Sequence, residues 1–107
     1  EEKPFEVVEQ NPEFPGGIAE LHKFLSDNIR YPVIAQENGI QGRVIVRFVV
    51  SRTGDISDVE VLRGVDPSLD REAVRVVESM PKWIPGRQRG RAVPVYFTLP
   101  VLFRLNN

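Results

Sequence analysis

Cysteine is absent from this chain, and histidine and tryptophan each occur once in 107 residues. Without thiols there is no disulfide and no thiolate site, which suits the cytosol and a bacterial envelope alike. One histidine and no cysteine do not supply the usual ligands of a transition metal, so no metal site and no cofactor is expected. No apolar run approaches the length of a membrane span, so this fragment is not expected to insert directly into a membrane, and no signal peptide opens the chain. Neither sign of charge is in excess. Fourteen Lys and Arg against fifteen Asp and Glu leave a formal net charge of −1, and no global field draws nucleic acid or an anionic membrane surface. Repeats and low-complexity tracts are also missing. What remains is a composition of 41% hydrophobic and 27% charged residues, that of an ordinary globular protein with one modest core. The first residue is Glu1 and not methionine, so the chain reads as an excised or processed piece.

The most informative stretch is the last, Ala92 to Leu105 (AVPVYFTLPVLFRL). Its odd positions, from Val93 and Val95 through Phe97, Leu99, Val101 and Phe103 to Leu105, are all apolar. Its even positions mix Ala92, Pro94, Tyr96, Thr98, Pro100, Leu102 and Arg104. This alternation predicts a strand with one buried and one solvated face. Residues of one parity send their N–H and C=O toward the same lateral edge, and Pro94 and Pro100 share parity. One edge therefore lacks two donors, which predicts a terminal edge strand, bent or interrupted near Pro100. An open ladder of this kind is either a liability or a docking site.

Upstream, residues 1–13 are charged with a small apolar patch at Phe5, Val7 and Val8, read as an arm or short strand. Residues 14–105 form the domain, and 106–107 a tail. Phe14-Pro15-Gly16-Gly17 is a turn signal. Ile18, Leu21, Phe24, Leu25 and Ile29 then make the stripe of an amphipathic helix ending near Asn28, because Pro32 biases Tyr31 toward extended backbone. Val33 to Asn38 is a short helical turn capped at Gly39. A strand from Gly42 puts Val44, Val46, Phe48 and Val50 on one face. Residues 51–55 are a hairpin loop with Gly54 at positive φ, and the return strand runs from Ile56 to Arg63 with Val59 and Val61 inward. Asp66-Pro67 starts a second helix, striped by Leu69, Ala73, Val76, Val77 and Met80 and stopped by Pro81. Lys82 to Arg91 is a polar connection holding Trp83, read as a core anchor. The fold class is α+β: a two-layer sandwich of an antiparallel sheet, three-stranded or slightly larger, with two main helices on one face.

Chemistry is hard to find in this pattern. His22 would have to serve any His-dependent triad, but on the flank of the first helix it reads as a surface residue. Asp55 with Asp58, and Asp66 with Asp70, lack calcium-loop spacing and fit a hairpin turn and a helix N-terminus. Gly16-Gly17 and Gly39-x-x-Gly42 are not phosphate loops. Arg87, Arg89 and Arg91 form the one basic cluster, without the basic domain a nucleic-acid reading requires. The residues describe a binding module, not an enzyme.

Several segments, in order, resemble one family. Tyr31-Pro32, Gly42-Arg43-Val44, Thr53-Gly54-Asp55, Trp83 followed by Pro85-Gly86, and the closing Val101-Leu102-Phe103-Arg104-Leu105 resemble the C-terminal domain of TonB proteins. Pro12-Glu13-Phe14-Pro15-Gly16-Gly17 resembles the variant common in Bacteroidetes envelope proteins. The resemblance implies a periplasmic domain anchored to the inner membrane by segments not present here. It implies coupling of the proton-driven ExbB–ExbD motor to outer-membrane TonB-dependent transporters of siderophores, vitamin B12 or glycans. The transporter's N-terminal TonB box would add as a strand to the family's last strand, here Val95, Tyr96, Phe97, Thr98, Leu99, Val101, Leu102, Phe103 and Arg104, with Ile29, Arg30, Tyr31 and Pro32 beside it. Pro94, Pro100 and the long connection before them depart from the pattern and imply a ladder shorter than the strand, its first half pairing internally or with another copy. The rival is a homodimer, or a scaffold domain of another envelope protein such as a sensor fusion, with no transporter partner.

Overall fold

The computed structural model describes residues 2–106. In chain order it contains α1 (Ile18–Asn28), α2 (Val33–Glu37), β1 (Gly42–Val50), β2 (Ile56–Arg63), α3 (Pro67–Glu78), β3 (Gly86–Gln88), β4 (Arg91–Val93) and β5 (Val95–Phe103). The main sheet is antiparallel in the order β2-β1-β5, and β3 and β4 form a separate two-stranded ribbon. The terminal strand is therefore an edge strand, hydrogen-bonded to β1 on one side.

The core follows from the alternation read in the sequence. Val44, Val46, Phe48 and Val50 of β1 are fully buried, and Leu99, Val101 and Phe103 of β5 join them. Leu21 and Leu25 of α1 and Leu69, Ala73, Val76 and Val77 of α3 close over this face as one continuous cluster. Asp66 caps α3 by accepting a hydrogen bond from the Ser68 N–H at 3.0 Å, with Pro67 at the first helical position, where its missing N–H costs nothing. Ile18, expected in the α1 stripe, is 62% exposed; it is the first residue of the helix, and burial starts at Leu21.

Trp83 anchors the aromatic end of the core. Its ring lies 4.9 Å from Phe97, 5.5 Å from Phe48 and 5.8 Å from Phe14, each in edge-on geometry. The hairpin loop between β1 and β2 touches it through backbone: Gly54, at φ 87, accepts a hydrogen bond from the Trp83 N–H at 2.9 Å. A Cβ at position 54 would fall 2.1 Å from the Trp83 carbonyl oxygen, so glycine is required there for space as well as for φ.

The structure corrects the terminal strand in two places. Ala92 and Val93 do not continue into it. The break comes at Pro94 and not at Pro100, so β4 pairs with β3 while β5 pairs with β1. Pro100 sits inside β5 opposite Ile45 without disturbing the register, because its missing N–H faces away from β1. Within the polar connection Lys82 to Arg91, β3 (Gly86–Gln88) turns back on β4 (Arg91–Val93) as a hairpin. Its tip places Arg89 at φ 53 and Gly90 at φ 75, the paired left-handed conformations of a type I′ turn.

Candidate functional site

The direction of the main-chain groups along β5 is set by its contact with the N-terminal arm. Phe5 donates its N–H to the Pro94 oxygen at 2.8 Å and accepts from the Tyr96 N–H at 3.0 Å, a parallel bridge outside the main sheet. Even-numbered residues of the strand therefore aim N–H and C=O outward, and odd-numbered residues aim theirs at β1. Beyond Phe5, the outward groups of Thr98, Pro100 and Leu102 meet no hydrogen-bond partner among the described residues. The exposed row comprises donors at Thr98 and Leu102 and acceptors at Tyr96, Thr98, Pro100 and Leu102. The strand's end is fixed by Gln41, whose side-chain oxygen accepts from the Leu105 N–H at 2.9 Å.

Next to this row lies a groove of about 650 Å³ between the C-terminal half of α1 and the end of β5. Leu25, Ile29, Tyr31, Pro100, Leu102 and Phe103 give it an apolar lining, and His22, Arg43 and Arg104 stand on it with no carboxylate among the lining residues. Leu102 is 51% exposed, a large apolar side chain beside the open ladder. Tyr31 is the pillar between the two walls. Its ring meets Phe103 edge-on at 5.7 Å, its hydroxyl donates to the Ile40 carbonyl, and burial raises its pKa.

The wall formed by Ile29–Tyr31 is bolted to α3 by Glu72. This carboxylate, 9% exposed, accepts from the Arg30 N–H at 2.7 Å and from Arg75 Nε and Nη2 at 2.8 and 2.7 Å. Arg75 also donates to the Asn28 carbonyl at 2.8 Å, satisfying the open C-terminal end of α1. Burial pushes the Glu72 carboxyl up, but the Arg75 guanidinium and the Arg30 amide outweigh it and hold the pKa below its ordinary value.

The expected site residues thus divide by position. Ile29, Tyr31, Leu102, Phe103 and Arg104 line the groove; Thr98 and Leu102 supply the open ladder. Arg30 faces Glu72 with its backbone, and Pro32 is the N-cap of α2. Val95, Leu99 and Val101 are buried, and Phe97 packs on Trp83 and Phe48, so these four present neither side chain nor main-chain groups to the outer edge. Tyr96 faces outward but its N–H is taken by Phe5, and Arg47 lies 4.3 Å over its ring. The sequence reading missed Arg43, Glu72 and the role of Phe5. Glu72 did leave a signal, an acid on the α3 stripe between Leu69 and Val76.

Residues 27–105 match the family described as the Gram-negative bacterial TonB protein C-terminal. Protein TonB of Pseudomonas aeruginosa is 44% identical over 54 residues, 50% of this chain and 15% of that protein. Protein TonB of Helicobacter pylori is 25% identical over 89 residues, 82% of this chain and 30% of that protein. The chain spans less than a third of the length of these relatives. The NMR solution structure of the Helicobacter pylori TonB C-terminal domain, residues 179-285, superposes with a TM-score of 0.64 at 23% identity, covering 83% of this chain and 80% of that one. A likeness at that identity speaks to the fold alone, and it is the same α+β fold. The family match, which takes in Ile29–Tyr31 and all of β5, decides the matter: the chain belongs to the TonB C-terminal domain family.

Proposed function

We propose that this domain is the periplasmic receiving end of a TonB-type energy coupler, which grips the N-terminal box segment of outer-membrane transporters by strand addition to β5. In this reading the full-length protein is anchored in the inner membrane and passes on the work of the ExbB–ExbD motor, and the domain itself is not an enzyme. The observation that carries it is the unpaired outward row at Thr98, Pro100 and Leu102, set beside an apolar groove. A guest strand there could form about five main-chain hydrogen bonds at about 1 kcal/mol net each, which by itself corresponds to binding in the sub-millimolar range. Placing one guest side chain in the groove would remove on the order of 100 Å² of apolar surface from water, adding about 2.5 kcal/mol. The lining of His22, Arg43 and Arg104 favours a segment with an acidic residue beside its apolar ones. Weak, ordered docking suits a coupler that must engage and release its partners.

The test is titration of the domain with a box peptide from an outer-membrane transporter of the same genome, followed by amide chemical shifts while the oligomeric state is monitored. Shifts confined to Thr98–Arg104 and Ile29–Tyr31 in a monomer support the reading. Concentration-dependent dimerisation with no peptide response would instead favour the homodimer or scaffold role, which draws on the same open edge.

A further inference from the structure

We propose that the N-terminal arm is a self-supplied guest, a one-rung latch at Phe5 that closes the start of the β5 edge and confines an incoming strand to the ladder from Thr98 onward. The inference rests on the strand-addition reading and adds a regulatory contact to it.

Phe5 uses the same row of groups that a guest would use. Its N–H and C=O are spent on Pro94 and Tyr96, the two outward positions immediately before Thr98. A strand long enough to continue past Thr98 toward Val95 would have to take both bonds from Phe5, so the two occupants exclude each other. Both hydrogen bonds of the contact join backbone groups, as in strand addition, and one of them offers an N–H to the oxygen of Pro94.

The arm is held on both sides of this rung but not by the core. Upstream, Glu2 pairs with Arg52 at 2.9 Å, an exposed ion pair of small worth. Downstream, Gln10 and Arg87 exchange two main-chain hydrogen bonds, and the Glu9 carboxylate accepts from the Arg89 N–H at 2.8 Å. Between these anchors the chain bends away after Phe5, Val7 is 84% exposed, and none of residues 2–8 belongs to the hydrophobic cluster. The Phe5 rung can therefore open while the Glu9–Glu13 segment stays on the β3–β4 ribbon and Phe14 stays in the core. Local opening of this kind belongs to the low-stability end of a fold.

The experiment compares a six-residue box peptide with the same peptide extended by three residues at each end, on the wild-type chain, Phe5→Pro and Phe5→Gly. Phe5→Pro removes the N–H that serves Pro94. Phe5→Gly keeps both main-chain groups but loosens the arm. On the wild type the two peptides should bind within about two-fold of each other. On Phe5→Pro the long peptide should gain roughly two- to twelve-fold over the short one, the worth of the one net hydrogen bond the variant takes from the latch, with Phe5→Gly intermediate. Amide hydrogen exchange at Tyr96 should speed up in the peptide-free variants and slow again when the long peptide binds. The same dependence on peptide length in all three proteins overturns the latch and leaves strand addition standing. If neither peptide moves the Thr98 and Leu102 amides in any of them, strand addition itself fails, and the latch with it.

Discussion

Replacing Glu72 by alanine removes the single acceptor shared by the Arg30 N–H and two nitrogens of Arg75. The Arg30 amide is left in a partly buried seam without a partner, which costs about 1–3 kcal/mol. Arg75 suffers less, because its side chain is 40% exposed and keeps its bond to the Asn28 carbonyl, so its share is discounted for solvent. The sum is a loss of about 2–3 kcal/mol, which for a domain of this size lowers Tm by roughly 10–20 °C. Denaturant unfolding at pH 7 reads the first figure and a thermal scan the second. The pH dependence follows from the direction of the Glu72 shift. Its pKa is depressed in the folded state, so its contribution is fully present above the unfolded value and fades as pH falls through the folded one. The gap between wild type and Glu72→Gln should therefore be widest near neutrality and narrow in acid. A stability loss under about 0.5 kcal/mol for Glu72→Ala, or a gap that widens in acid, would refute this account of the bolt between α1 and α3.

Leu102→Pro should leave β1–β5 pairing intact, since the N–H it deletes faces outward. It should weaken box-peptide binding about ten-fold in calorimetry, whereas Leu102→Ala, which keeps the N–H, loses only the apolar contact; unchanged affinity in a folded Leu102→Pro protein would show that this edge is not the one used. Gly54→Ala should destabilise by more than about 2 kcal/mol in urea titration, because the new Cβ meets the Trp83 carbonyl at a φ of 87. Asp58 is a non-glycine residue at φ 51 in a bulged part of β2, so Asp58→Gly should be neutral or stabilising by a few tenths of a kcal/mol, while Asp58→Val should cost about 1–2 kcal/mol in the same assay.

Alternating apolar residues were enough to lay out the sheet faces, because a pleated strand can bury only one of them. Val44, Val46, Phe48 and Val50 and the odd residues of β5 could hardly face anywhere else. The parity of Pro94 and Pro100 also carried real information, since a missing N–H is tolerated only where no ladder bond is required. The same rule did not say which proline would break the strand. That depended on what lay alongside: β1 continues opposite Pro100, whereas β3 draws Ala92 and Val93 away before Pro94. The two walls of the groove were legible as separate stretches, Ile29 to Tyr31 and Leu102 to Arg104, through the family resemblance and not through any local pattern.

What the sequence by itself determined is the set of elements and their buried sides, because those follow from period, caps and breakers within a few residues of each position. What only the tertiary structure decided is which groups remain unpaired. Glu72 reaches across 42 positions to the Arg30 amide, and Phe5 reaches across the length of the domain to Pro94 and Tyr96. Hydrogen-bond satisfaction is a property of the whole closed chain, so the length of ladder left open for a partner is settled by contacts between residues that no local window contains.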